Sequence, residues 1–254
     1  MDFCSGDKVI KVAVCVSGMV RCSNPAGSIK RYNDILRSKF PTADFYHGTW
    51  KTCEHDFKTN LPGVDYMLFD EPVMHYHPYH DMKEEDYASS YFTETFNWVK
   101  AGLAPRAEWT SHHTKQILIH SAMVKLLPKT YDVIVRTRYD AFIHKTADFS
   151  KYVLDSHNNK RANGFAVTQK EKFAEMYQSD LQQHPKMKYW MLDQLIIHPR
   201  ELLNTTEVER LHVEKKLNPA EHGWYQVLSK PYGSNHINNH GWVNHDKNVL
   251  PKFF

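Results

Sequence analysis

Apolar residues occur in two textures along this chain. Some form short β-branched runs bounded by turn residues, and others recur every three or four positions over longer stretches. The run Ile10 to Val16 (IKVAVCV) stops at Ser17-Gly18 and predicts a strand buried on both faces, as in parallel sheets. A helix is expected next: Ser28 can cap it, Ile29, Tyr32, Ile35 and Leu36 fall at helical spacing, and Pro41 stops it. Asp44 to Trp50 (DFYHGTW) predicts a second strand, so the chain opens with a β-α-β unit, for which a right-handed crossover is expected. Residues 51–106 then lose regularity, with three prolines before Tyr79 and the acidic cluster Lys83-Glu84-Glu85-Asp86. A loop of that length implies short helices and a long excursion over one end of the sheet.

Regularity returns at Trp109 to Leu127, where Ile119, Ala122, Met123, Leu126 and Leu127 share one side of a helix that Pro128 ends. Tyr131 to Arg138 (YDVIVRTR) predicts the third strand, and Gly164 to Thr168 and Gln194 to His198 predict two more. Leu202, Leu203, Val208 and Leu211 support a following helix, and Pro219 to Leu228 another with proline in its first turn. The last 25 residues are rich in Asn, Gly and His and carry no period. Alternating strands and helices define the α/β class with a mostly parallel central sheet flanked by helices. With no internal repeat, residues 1–254 are expected to form one domain. In such sheets ligands bind beyond the carboxyl ends of the strands, so polar residues at strand ends are where chemistry is sought.

Composition narrows the function. Against 29 Asp plus Glu stand 32 Lys plus Arg, and a net charge of +3 argues against a dedicated nucleic-acid binder. No apolar run reaches a membrane span, and the charged start MDFCSGDKVIKVAVCV does not read as a secretory signal. Cys4, Cys15, Cys22 and Cys53 form no CxxC pair, which suits a reducing cytoplasm, the host's if the protein is viral. Without a secretory signal, the sequon at Asn204-Thr205-Thr206 has no meaning as a glycan acceptor.

The densest chemistry is Tyr131-Asp-Val-Ile-Val-Arg-Thr-Arg-Tyr-Asp140. If the strand persists, Arg136, Arg138 and Asp140 point the same way. Such a cluster suits an anionic ligand, Arg gripping phosphate and Asp holding a bridging divalent cation. Alternatively it is an internal salt bridge of Arg136 or Arg138 with Asp140 or Asp132. Ser17-Gly18-Met19-Val20-Arg21 puts a small turn and an arginine directly after the first strand, where backbone N–H groups can approach a phosphate. Neither GxGxxG nor GxxxxGK[ST] is present, which disfavours nucleotide-binding families built on them.

In this order, VAVCVSGMVR, DFYHGTW, a helix with Lys115-Gln116, YDVIVRTRYDAF and Leu192-Asp193-Gln194 resemble a known group. These are the small GT-A-fold glycosyltransferases of bacterial surface-polysaccharide clusters, phages and large DNA viruses. The resemblance covers roughly residues 10–50 and 107–200 and implies a GT-A-like Rossmann-type sandwich. It also implies a nucleoside-diphosphate sugar as donor and a glycan, of a surface or a capsid, as acceptor. Ser17, Gly18, Arg21, His47, Thr49, Gln116, Arg136, Arg138 and Asp140 are then expected around the donor, with Trp50 ending the second strand beside them. Asp140 would hold Mn²⁺ or Mg²⁺, with His240 or His245 as the histidine near the carboxyl terminus that supports the metal. The group's usual motif has two acids, whereas here Arg138 stands in one place, which relaxes the expected metal requirement. Asp193 falls where a general base would take the acceptor's proton, its alternative being a structural cap.

His75-Tyr-His77-Pro-Tyr-His80-Asp81 superficially resembles the metal run of metallo-β-lactamase-type hydrolases, but its acid follows the last histidine and Pro78 breaks the spacing. It fits an acceptor-side loop better, with aromatic faces stacking on sugars, and His112-His113 reads as a solvated helix start. The competing functions are a metal-dependent hydrolase using these histidines, and a non-catalytic carbohydrate-binding protein of the same fold.

Overall fold

The β-branched runs become the inner strands of one sheet. The computed structural model describes residues 3–5, 8–20, 27–73, 107–139, 141, 143, 147–168, 191–218, 220–229 and 236–243. Strands β1 (Val12–Ser17), β2 (Asp44–Trp50), β3 (Met67–Phe69), β4 (Val133–Thr137), β5 (Ala162–Thr168), β6 (Leu195–Pro199) and β7 (Ile237–Val243) lie in the order β3-β2-β1-β4-β6-β5-β7. All neighbouring pairs are parallel except those of β6, which runs antiparallel to both β4 and β5. The sheet is therefore mostly parallel and the fold α/β, as the alternation of elements predicts.

Both faces are covered by helices, which is why β1, β4 and β6 are buried along their whole length. Val12, Val14, Val16, Val133 and Val135 face α1 (Ser28–Lys39), α2 (Glu54–Asn60) and α4 (Ser150–Asn159), meeting Ile29, Leu36, Phe57 and Val153. Ala13, Cys15, Ile134 and Ile196 face α3 (Ala107–Leu126), α5 (Thr205–Val213) and α6 (Ala220–Ser229), meeting Ile117, Met123, Val208, Leu211 and Trp224. Burial on that second face pushes the Cys15 thiol up to about 12, so it stays protonated and inert. Asn204 caps α5, its Oδ1 accepting from the Glu207 N–H at 3.1 Å. No helix among the described residues is long and apolar enough to cross a membrane.

Three elements differ from expectation. The patternless tail contains β7, an edge strand paired with β5 from Ala162↔Ile237 to Thr168↔Val243. The excursion after Trp50 begins with α2 and then returns to the sheet as β3. A helix not anticipated from the sequence, α4, packs Val153 and Ser156 beneath β6 and β5. The acidic cluster at 83–86 and the histidine run at 75–80 lie outside the described residues.

Topology locates a crevice. The chain steps from β1 outward through β2 to β3, then returns to the other side of β1 with β4. The β1/β4 boundary is thus a switch point, beyond whose carboxyl ends open α/β sheets bind ligands. Because β6 is reversed, its start lies at this same edge, with Leu195 opposite both Thr137 and Phe165.

Candidate functional site

The first wall of the site is the turn after β1. Gly18 has φ +119°, a conformation that favours glycine, and a Cβ there would meet no atom of the described residues within 4 Å. Gly18 itself is buried, so what the glycine provides is space beside its Cα within the end of the sheet. The turn is stitched from below: Gly18 N–H donates to the Gly48 carbonyl at 3.3 Å, and Thr49 Oγ1 donates to the Gly18 carbonyl at 3.3 Å. Tyr139 Oη donates to the Val16 carbonyl at 3.0 Å, and burial raises its phenol well above the ordinary range. Ser17 Oγ is buried at this end of β1 with no hydrogen-bond partner among the described residues.

His47 and Thr49 sit under the turn rather than on its surface. Both are buried, and His47 stacks on Tyr139 with ring centroids 6.0 Å apart and meets the edge of Phe57 at 6.1 Å. Burial, with Arg37 nearby, lowers the His47 imidazole to about 4, so it is neutral at physiological pH. Their contribution here is to support the Gly18 backbone from within the fold.

The arginines part company. Strand β4 ends at Thr137, so the alternation that would align Arg136 with Arg138 does not continue. Arg136 is fully buried on the α3 face, donating from Nη1 to the Asp193 carbonyl and from Nη2 to Gln116 Oε1, with its guanidinium 4.9 Å from the Trp224 ring. Gln116, half-buried on α3, is thus joined to Arg136, and the neighbouring Lys115 pairs with Glu71 at 2.9 Å beyond the end of β3. Arg138 instead lines a small cleft on the α1 face with Val16, Ile29, Tyr32, Asn33 and Tyr139. The Asn33 Oδ1 is buried and unbonded among the described residues. Asp132 turns to the other end of β4 and accepts from the Lys11 N–H at 3.0 Å. Arg21, Asp140 and His245 lie outside the described residues.

Asp193 immediately precedes β6 and is only 7 % exposed. Its carbonyl accepts from Arg136, and no described residue bonds its carboxylate. Its seat is formed by Gly164, where an added Cβ would run into the Leu192 carbonyl oxygen and press on Met191. Only glycine lets the segment lie this close to β5.

His240 stands on β7 opposite Phe165, stacked on that ring at 5.0 Å and beside Tyr152 at 4.5 Å. Asn163 donates from Nδ2 to Asp155 Oδ2 at 3.0 Å and to Ser156 Oγ at 3.2 Å. Its Oδ1 accordingly accepts from His240 Nε2–H at 2.9 Å, which assigns the proton to Nε2 and leaves the lone pair on Nδ1. Burial, reinforced by Lys151 and opposed by Asp155, lowers this imidazole to about 4. Among the described residues no three His, Cys, Asp or Glu side chains converge on a point that could hold a metal.

Sequence reasoning missed Tyr139, Asn163, Gly164 and Asn239 at this edge. Tyr139 lay inside the motif that was read for its charges, and the other three carry no charge to draw attention.

No protein-family model matches the chain, and no curated protein matches it. Among solved structures, 4-diphosphocytidyl-2C-methyl-D-erythritol synthase from Anaerococcus prevotii is similar at 10 % identity. That match covers 91 % of this chain and 87 % of the other, with a TM-score of 0.49. Mouse xyloside xylosyltransferase 1 in its apo form is similar at 10 % identity, over 86 % of this chain and 79 % of the other, with a TM-score of 0.36. Likeness at this level establishes neither a family nor an activity.

Proposed function

We propose that the chain is a glycosyltransferase that moves a sugar from a nucleoside-diphosphate donor to a glycan hydroxyl. One observation carries this reading: the Gly18 turn, with space beside its Cα, and the Asp193 carboxylate share one sheet edge, across the switch point. Two strand spacings separate β1 from β6, about 10 Å, a span suited to a diphosphate and its sugar. In this reading the diphosphate lies on the turn after β1, with Arg138 and Arg21 compensating its charge. Thr49 and His47 support that turn from beneath, and Arg136 holds the Asp193 carbonyl, rather than touching the donor.

The acceptor oxygen attacks the anomeric carbon as its proton passes to the Asp193 carboxylate. The bond from that carbon to the diphosphate oxygen breaks, and the nucleoside diphosphate leaves with the electron pair. Removing the proton as the new bond forms typically contributes 10²–10⁴-fold. Of the residues expected to hold Mn²⁺ or Mg²⁺, His240 offers one nitrogen, Nδ1, and Asp140 lies outside the described residues. The described residues alone do not make a metal site, and no step here is routed through one. The histidine runs behind the hydrolase alternative also lie outside the described residues or on side chains not described, and nothing among the described ones favours it.

The test is Asp193→Asn, which keeps shape while removing the basic oxygen. Turnover is expected to fall by about 10²–10⁴-fold with donor affinity little changed, because the interaction is needed in the transition state. A rate within a factor of a few of the unaltered protein's would refute Asp193 as base. Donor binding without any turnover in the unaltered protein would favour the carbohydrate-binding alternative.

A further inference from the structure

We infer that Asn239, Arg136 and Thr137 are positioning residues that together fix the Asp193 carboxylate at the site, an inference that rests on Asp193 acting as the base. Main-chain groups on both sides of the carboxylate are held by three different strands. Leu192 N–H donates to Asn239 Oδ1 of β7 at 2.8 Å. The Asp193 carbonyl accepts from Arg136 of β4, which is itself tied to Gln116 of α3. Gln194 N–H donates to the Phe165 carbonyl of β5 at 3.1 Å, and the Gln194 carbonyl accepts from Thr137 Oγ1 at 3.0 Å.

This is more constraint than the start of a strand requires. Ordinary ladder pairing would anchor β6 from Leu195 onward, opposite Thr137 and Phe165. Here the three residues before the strand are each captured as well, two of the bonds coming from side chains of β4 and one from a side chain of β7. Gly164 removes the last steric freedom by letting the Leu192 backbone rest on β5. The side chain left out of these bonds is the carboxylate itself. A reacting group held on a rigid frame loses little further entropy at the moment of reaction, and misplacing it by 1 Å can cost about 10²-fold in rate. A fully buried guanidinium spent on a backbone carbonyl is explained by this role and not by contact with a diphosphate.

The test is a double-mutant cycle on the full chain. Its reaction is hydrolysis of UDP-glucose, UDP-galactose, UDP-N-acetylglucosamine and GDP-mannose with Mn²⁺. Water replaces the acceptor, its proton passes to Asp193, the anomeric carbon–oxygen bond breaks, and release of nucleoside diphosphate is followed. Asn239→Ala and Thr137→Val are each expected to lower kcat by about 10–100-fold with donor KM within about twofold. Thr137→Ser, which keeps the hydroxyl, restores most of the rate. In an Asp193→Asn background either change costs less than about threefold, because the group it positions is already gone. Equal losses in both backgrounds, or no loss in the single variants, overturn the positioning role while leaving the base in place. If Asp193→Asn alone hydrolyses within a factor of a few of the unaltered protein, the base assignment fails and this inference falls with it. Hydrolysis of none of the four donors by the unaltered protein overturns both.

Discussion

Replacing His47 with Phe should make the protein less sensitive to acid. In the folded chain this imidazole is buried between Tyr139 and Phe57 and titrates at about 4, against an ordinary value of 6.5. Between those values the unfolded chain binds the proton and the folded chain does not. Stability contributed by the neutral form is therefore intact above pH 6.5 and is lost as pH falls toward 4. At about 1.4 kcal/mol per pH unit the loss saturates near roughly 3.4 kcal/mol, and between pH 7 and pH 5 it amounts to about 2 kcal/mol. Phe keeps the ring contacts and removes the titrating group, forfeiting only the long 3.4 Å approach of Nδ1 to Tyr139 Oη. The assay is urea unfolding of both proteins at pH 7 and pH 5, compared through the linear dependence of free energy on denaturant. His198, also held at about 4 by burial, and His120, lowered by burial and its neighbours, remain in both proteins and cancel in the comparison. The unaltered protein is expected to lose about 2 kcal/mol more than the variant on going from pH 7 to pH 5. Equal losses in the two proteins would refute the argument that burial keeps His47 neutral.

Two further outcomes follow from the geometry, and a third from the proposed function. Gly164→Ala should destabilise by about 1–3 kcal/mol, since the added methyl meets the Leu192 carbonyl and not a side chain that can swing away; a melting temperature unchanged within error would contradict that packing. Asn204→Ala removes the α5 cap and should cost about 1 kcal/mol by denaturant unfolding, whereas Asn204→Ser should cost less. If the proposed donor site is right, Asp140→Ala abolishes donor hydrolysis while the melting temperature stays unchanged, and EDTA reduces the unaltered protein's rate with Mn²⁺ or Mg²⁺ restoring it. Restoration by zinc alone would instead favour a hydrolase.

The central strands were legible in the sequence because their burial on both faces demands uninterrupted β-branched runs, as in VAVCV and VIV. The edges were not. In β7 the sequence INNHGWV carries Asn and Gly, poor strand formers, because part of its pairing with β5 is through a polar ladder of Asn163, Asn238 and His240. Strand β3 has only three residues, too few for a period to show. Helix α4 fully buries only Val153 and Ser156, and its apolar residues Tyr152, Val153 and Leu154 are consecutive, so no helical period shows in the sequence. At the site, the ends of β1 and β6 could be read because turn residues mark them. The orientation of Arg138 could not, since alternation assumes a continuing strand and β4 stops one residue earlier. Asn239 was invisible for a different reason: its role depends on a strand pairing that brings residue 239 against residue 192.

In the proposed function the carboxyl edge of the β1/β4 switch point binds a nucleoside diphosphate and its sugar. The most direct measurement is the melting temperature of the full chain with UDP, GDP, CDP, TDP and ADP and their common sugar conjugates, with and without Mn²⁺. A ligand that binds only the folded state at 100 times its Kd adds about 2.7 kcal/mol of apparent stability, or roughly 5–11 °C for a chain of this size. At least one nucleoside diphosphate is expected to raise the melting temperature on that scale, with its sugar conjugate matching or exceeding it. No shift with any of them, at millimolar concentration and with the metal present, would contradict donor binding at this edge.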